Sequence, residues 1–187
     1  MKRLVFSPGF PPNVGGQPSY MYARCLADPQ AIEVIALYWE GSEAFDARQP
    51  FSVHRFEYFY RSVPWYFAPV RRLIQLIQTA GILHKHLISG EFDILEVGTV
   101  YPGAIIAEIL FPRRRFRLVA YALGDDILKP QKNWFTRLVF RRVSKGIDMF
   151  VAISNYTKDK LIKVGVPRDR IVLIPPPIDQ EKFGQPG

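Results

Sequence analysis

Cysteine is almost absent from this chain of 187 residues, which holds one, Cys25. A single thiol closes no internal disulfide, which excludes a disulfide-stapled scaffold and agrees with a reducing compartment. Cys25 stands among helix-forming residues and reads as a small buried hydrophobe rather than a nucleophile. Histidine is nearly as scarce: there are three, His54, His84 and His86, none beside a candidate Ser or Cys nucleophile. His84 and His86 are two residues apart and would leave a helix on different faces. A metal site and a hydrolytic triad both lack support.

Long hydrophobic runs are missing too. No stretch reaches the roughly 18 apolar residues that a membrane-spanning helix needs. The opening Met1-Lys2-Arg3-Leu4-Val5-Phe6-Ser7-Pro8 carries two cations but too short an apolar run for a signal peptide. It reads as a first buried strand, and the expected location is the cytoplasm. Low-complexity tracts are absent, and an apolar content of 48% with 14% aromatics describes a globular chain of one sizeable core. Acid is the minority charge: 17 Asp and Glu face 25 Lys and Arg, for a net charge of +8. Such a balance suits nucleic acid, an anionic membrane surface or a phosphorylated substrate, and a solvated basic face competes with all three.

Periodicity and turn residues give the organisation. Strands are expected at residues 2–7, 32–39, 51–59, 94–97, 118–123, 149–153 and 171–174. Helices are expected from about residue 17 to 27, from 65 to 88 with a break at Pro69, from Pro102-Gly103 to 110, from 134 to 143 and from 156 to 164. In the long segment Leu73, Leu76, Ile77, Ala80 and Leu87 form one apolar stripe, expected to face the core. Residues 40–50 read as a polar loop. Strands separated by helices favour a doubly wound α/β fold, a mainly parallel sheet of about seven strands in three layers.

Four constellations carry potential chemistry. Asn13-Val14-Gly15-Gly16 lies between the first strand and the first helix. Glycines there let a backbone approach a ligand, and the N–H groups of a helix start favour anionic oxygens. The motif is not G-x-G-x-x-G, so no nicotinamide cofactor is indicated. Read alone, a Gly-Gly pair is a tight turn. Ala122-Leu123-Gly124-Asp125-Asp126 closes a buried strand, where ligands of open α/β sheets bind, and its two acids equally suit a helix cap. Ser154-Asn155 opens a helix, with Ser154 a good N-cap. The last group is basic and aromatic: Trp65, Tyr66 and Phe67 with Arg71 and Arg72, then the arginines at 113–117, then Arg137, Arg141, Arg142 and Lys145. Basic amphipathic helices suit an anionic membrane surface. No DNA- or RNA-reading motif accompanies these charges, which argues against nucleic acid.

The last third of the chain, from Asp148 to Phe183, runs strand, capped helix, Gly165 stop, strand, and the exit Pro175-Pro176-Pro177-Ile178-Asp179. This segment resembles the N-terminal half of retaining, GT-B-type glycosyltransferases of family 4, with their V-x-x-S-x-x-x-x-x-x-L-x-x-x-G segment and Pro-x-x-[VI]-Asp-x-x-x-Phe exit. The resemblance is strong over residues 1–16 and 118–183 and weak over 28–90.

It implies a Rossmann-like, acceptor-side domain at residues 1–183, with 184–187 beginning an interdomain linker. The nucleotide-sugar domain would be absent from this chain, which alone would be inactive. The implied reaction moves a sugar from a nucleotide-sugar donor to a glycan or lipid-linked acceptor with retention, without a cofactor or metal. Gly15 and Gly16 would contact the donor diphosphate. Asn13, Asp125, Asp126 and Ser154 would bind substrate, with Asp126 the candidate catalytic residue. Asp179 would fix the turn between domains. Leu123 falls where relatives carry a histidine, and Val97-Gly98-Thr99 lacks another, which marks a divergent branch. A peripheral contact with the inner membrane face fits the acceptor class. The alternative is a non-catalytic module of the same fold that binds a glycan, a lipid phosphate or a partner protein.

Overall fold

A computed structural model of the chain describes residues 1–59, 64–124, 127 and 134–177. The candidates Asp125, Asp126 and Asp179 lie outside the described residues. Seven strands are present among those described: β1 (Arg3–Phe6), β2 (Ile32–Leu37), β3 (Ser52–Phe56), β4 (Ile94–Val97), β5 (Arg117–Ala122), β6 (Met149–Ala152) and β7 (Ile171–Leu173). They form one parallel sheet in the order β3-β2-β1-β4-β5-β6-β7. The helices are α1 (Gly16–Leu26), α2 (Ser42–Asp46), α3 (Ala68–Ser89), α4 (Ile105–Leu110), α5 (Trp134–Val143) and α6 (Asn155–Lys163).

Alternation along each strand divides the core into two layers. Leu4 and Phe6 join Leu95, Val97, Leu118, Ala120 and Phe150 beneath α3 to α6, which contribute Leu83, Ile106, Ala107, Phe140 and Leu161. Val5 points the other way, to Val34, Ala36, Tyr121 and Val151, where α1 adds Tyr20, Met21 and Cys25. The result is helix, sheet, helix, the three-layer Rossmann-like arrangement expected from the pattern.

Local signals explain the element ends. Ser154 caps α6, its Oγ accepting the Thr157 N–H at 3.2 Å. The helix closes on Gly165 at φ +96°, with Gly165 N–H to Ile162 O at 2.9 Å and Val166 N–H to Leu161 O at 3.1 Å. That double bond is a Schellman stop, and buried Val166 follows as its hydrophobic partner.

The structure differs from the sequence reading in four places. The loop at 40–50 contains α2, which begins after Gly41 at φ +81°. Pro69 does not break a helix: it sits in the first turn of α3, where a missing N–H costs nothing. Pro102-Gly103 lies inside a π-helical turn, Val100–Ala104, that leads into α4. The apolar stripe of α3 is split. Leu76, Ala80 and Leu87 pack on the core, whereas Leu73 and Ile77 are 57% and 61% exposed. The buried ridge runs instead through Leu76, Ala80 and Leu83, with Thr79 beside it, because only the C-terminal half of α3 lies over the sheet.

Candidate functional site

Strand order reverses between β1 and β4: β2 and β3 extend to one side, β5 to β7 to the other. At such a point the loops leaving the two central strands part, and a crevice opens at their carboxyl ends. Here the crevice is framed by the segment after Phe6 and by Gly98 after Val97. Gly98 N–H bonds to Phe6 O at 2.9 Å. Ser7 is fully buried and donates through Oγ to Gly9 O at 2.7 Å. A Cβ on Gly98 would lie 2.9 Å from that Oγ, so close packing itself calls for glycine.

The proline-rich approach to α1 is held from the side. Arg55 on β3 donates to Pro11 O at 2.6 Å and Leu37 O at 2.8 Å, and pairs with both carboxylate oxygens of Asp46 at 2.9 and 2.7 Å. Phe10 is buried under the loop, edge-on to Tyr22, Phe45 and Phe51. The loop therefore delivers Gly15 and Gly16 to the crevice on a rigid base. Gly15 is the N-cap of α1 and Gly16 its first residue, with no acid in the first turn. The N–H groups of Gly16 and Gln17 begin the helix without intrahelical acceptors, and Pro18 has none to offer. A Cβ on Gly16 would meet nothing of the chain within 4 Å. Packing within the chain thus gives no reason for glycine at 16.

A cavity of about 360 Å³ adjoins this helix start, lined by Gly16, Gln17, Ser19, Tyr20, Leu123, Ile153, Pro176 and Pro177. Gln17 bridges to the other side of the crevice, donating from Nε2 to Gly98 O at 3.3 Å. The Tyr20 hydroxyl donates to Ile174 O at 2.9 Å and ties α1 to the exit from β7. Burial raises the pKa of Tyr20 and Glu96 adds to it, partly offset by Arg24, so that phenol stays protonated at neutral pH. No lining side chain supplies a proton-transfer group near pH 7. What the cavity offers is shape, backbone donors and two amide or hydroxyl groups.

Beneath it lies a buried polar network. Glu96, 6% exposed on β4, accepts from Arg3 Nη1 at 3.0 Å and from the Tyr121 hydroxyl at 2.6 Å. Burial and the Glu96 charge push Tyr121 far above the usual phenol range, and Arg24 lies within its electrostatic reach. Tyr20 packs against Tyr121 with ring centroids 5.9 Å apart. Burial likewise pushes the Cys25 thiol up to about 12, which fits a packing residue.

The sequence candidates fall as follows. Gly16 and Leu123 meet across the cavity, and Ile153, the neighbour of Ser154, lines it as well. Asn13 is half-buried, its N–H bonded to Phe10 O at 3.2 Å, and does not line the cavity. Ser154 spends its Oγ on the Thr157 cap. Gly124 takes φ +122°, a conformation that suits glycine at the end of β5. Gln17, Arg55 with Asp46, and Glu96 with Arg3 and Tyr121 were not singled out from sequence. The one available signal was opposite charge inside two apolar strands, Arg3 in β1 and Glu96 in β4. Gln17 carried none.

Comparison with known proteins gives three findings. The sequence profile of Glycosyltransferase Family 4 matches residues 14–182. A GDP-mannose-dependent alpha-(1-6)-phosphatidylinositol monomannoside mannosyltransferase of Mycolicibacterium smegmatis is 26% identical over 191 residues, covering 96% of this chain and 45% of the relative. Among solved structures, Anabaena HepE in complex with UDP aligns at a TM-score of 0.65 and 15% identity, over 98% of this chain and 46% of that one. A UDP-GlcNAc 2-epimerase from Neisseria meningitidis bound to UDP-GlcNAc aligns at 0.60 and 14% identity, over 92% of this chain and 46% of that one. The chain therefore spans about half the length of the proteins it matches. The structural likenesses establish the fold, which an epimerase shares with the others.

Proposed function

The chain belongs to glycosyltransferase family 4, and from that premise we propose that it is the acceptor-side domain of a GT-B-type enzyme. In this reading residues 1–183 are the domain, 184–187 begin a linker, and a second domain supplies most nucleotide recognition. The reaction is transfer of a sugar from a nucleotide-sugar donor to a glycan or lipid-linked acceptor, with retention. GDP-mannose, the donor named for the mycobacterial relative, is the first donor to test.

One observation carries the reading: the open space over Gly16 at the start of α1, at the reversal point of the sheet. A departing nucleoside diphosphate is anionic, and unpartnered N–H groups at a helix start stabilise such charge. The role suits transfer with retention, which depends on positioning and on stabilising the leaving diphosphate. Gly15 and Gly16 would hold the diphosphate, and Gln17 would fix the crevice wall. The apolar cavity beside Tyr20, Leu123 and Ile153 would admit part of the acceptor. Asp126, with Asp125, would orient sugar or acceptor hydroxyls, while Asn13 and Ser154 support the surrounding loops. No metal enters this scheme.

The test is titration of the 187-residue chain with GDP-mannose and UDP-sugars, followed by backbone NMR. Weak binding, with the amides of Gly15, Gly16 and Gln17 shifting first, is the expected result for half of a divided site. Shifts that bypass this loop at millimolar donor would overturn the assignment. Tight, saturable binding would overturn the division between two domains.

A further inference from the structure

We propose that the N-terminal half of α3 is a docking surface for an anionic lipid bilayer. Tyr66, Phe67, Val70, Leu73 and Ile77 are 64%, 51%, 46%, 57% and 61% exposed. Residues 70, 73 and 77 share one helix face, opposite the ridge of Leu76, Ala80 and Leu83 that meets the core. A helix with one face in a core and a second apolar face in water has a partner to find, since single exposed apolar residues are ordinary but a row of them is not.

The placement of the row is defined by two hydrogen bonds. Tyr58 Oη lies 3.1 Å from Thr79 Oγ1, and the Phe59 N–H donates to Gln78 Oε1 at 3.1 Å. Residues 78 and 79 are therefore level with the chain just after β3. Because α3 runs back against the parallel strands, residues 68–77 extend beyond that level, roughly 15 Å at the helical rise. They project past the carboxyl edge of the sheet, the edge on which Gly15, Gly16 and the cavity open.

Charge selects the occupant. From Tyr58 to Gly90 the sequence holds no Asp or Glu, while Arg71, Arg72 and Lys85 lie on α3 itself. An apolar row with cationic neighbours and no acid matches the headgroup boundary of an anionic bilayer, where arginines meet phosphates and the apolar row enters the acyl layer. A second copy of this chain would bring the same arginines onto each other, which disfavours self-pairing through this face. Docking here turns the crevice toward the lipid surface, so that an acceptor carried on a lipid reaches it without leaving the bilayer. That use rests on the transferase reading; the docking itself does not.

The experiment is co-sedimentation of the chain with vesicles of phosphatidylglycerol and phosphatidylcholine, against phosphatidylcholine alone. Retention on the anionic vesicles is expected, weakening as salt rises and the charges are screened. The double substitution L73E/I77E should lower the bound fraction about tenfold. R72E should lower it too while leaving the apolar row in place, and both variants should keep the native far-UV spectrum because the side chains are exposed. No retention on anionic vesicles at low salt, or retention unchanged in L73E/I77E, would overturn the proposal. A native dimer made monomeric by L73E/I77E, without vesicle binding, would overturn it in favour of a second copy. The vesicles carry no sugar donor, so failure here leaves the transferase reading untouched, and loss of donor binding leaves this one untouched.

Discussion

Arg55 and Asp46 meet fork to fork, Nε to one carboxylate oxygen at 2.9 Å and Nη2 to the other at 2.7 Å, with both side chains largely buried. The same guanidinium donates to Pro11 O and Leu37 O, so one side chain joins β3, α2, the end of β2 and the proline-rich loop. The helix that replaces the expected loop at 40–50 is what puts Asp46 in place.

Replacing Arg55 by alanine should strand the Asp46 carboxylate and free the loop, at a cost of roughly 3 kcal/mol. Lysine keeps the charge but offers no planar fork, and should recover only part of that loss. Urea unfolding of the chain and both variants gives the measurement. Equal midpoints for Arg55→Lys and wild type would show that charge alone matters, against the geometry described.

Two glycines at the crevice should behave in opposite ways. Gly16→Ala adds a Cβ into open space at a helix start, so stability should hold or rise by up to about 1 kcal/mol. Nucleotide-sugar binding should nevertheless fall, about tenfold, if the diphosphate rests on that backbone. Gly98→Ala instead drives a methyl to 2.9 Å from the buried Ser7 Oγ and should destabilise by about 1–3 kcal/mol. Calorimetric titration beside thermal unfolding separates the two. Unchanged donor binding in Gly16→Ala would remove that residue from the site.

The seven strands were legible because each is a short apolar run closed by turn residues, and strand identity survives even where its ends shift by one or two positions. The loop before α1 was legible for the same reason: glycines between strand and helix are visible as letters. The burial of α3 was not. Leu73 and Leu76 are equally apolar, and which one meets the sheet depends on where the helix passes the end of β3, a tertiary fact set by Tyr58 and Thr79. Nor could spacing pair Arg3 with Glu96 or Arg55 with Pro11, since those contacts join distant segments across the sheet. Ser154 carried both a cap and a ligand reading in the sequence, and the geometry shows the cap.

The pair Tyr121 and Glu96 offers a test of how α1 is seated. Tyr121→Phe removes the 2.6 Å donor to a carboxylate that is 6% exposed, leaving an oxygen short of a partner. A loss of about 1–3 kcal/mol follows, or several degrees in thermal midpoint for a chain of this size. Glu96→Gln should cost a similar amount by weakening the Arg3 pair. Because both residues belong to one network, the double substitution should cost less than the two losses added. Strict additivity would mean that the hydrogen bond contributes nothing of its own.

Acid should weaken the fold in two stages, and His86 accounts for the first. Burial lowers its pKa from the usual 6.5, and the nearby charges of His54 and Lys85 lower it further against a smaller opposing effect of Glu33. The unfolded chain therefore takes up a proton near pH 6.5 while folded His86 resists it. Between those two pKa values the unfolded state binds more protons, so stability rises with pH and is lost as pH falls below about 6.5. Glu33 accounts for the second stage. The hydrogen bond from Lys2 holds its carboxyl below the usual 4.5, with a further contribution from His54, whose Nε2 lies 3.0 Å from Oε2. Its stabilisation is present above 4.5 and disappears as pH falls through the depressed value. The two groups act in the same direction in separate windows. Urea midpoints measured from pH 8 to 4 should decline first between 6.5 and 5, and His86→Asn should flatten that upper decline while leaving the lower one. A midpoint that stays level from pH 7 to 5.5, or a decline equally steep in His86→Asn, would contradict the assignment.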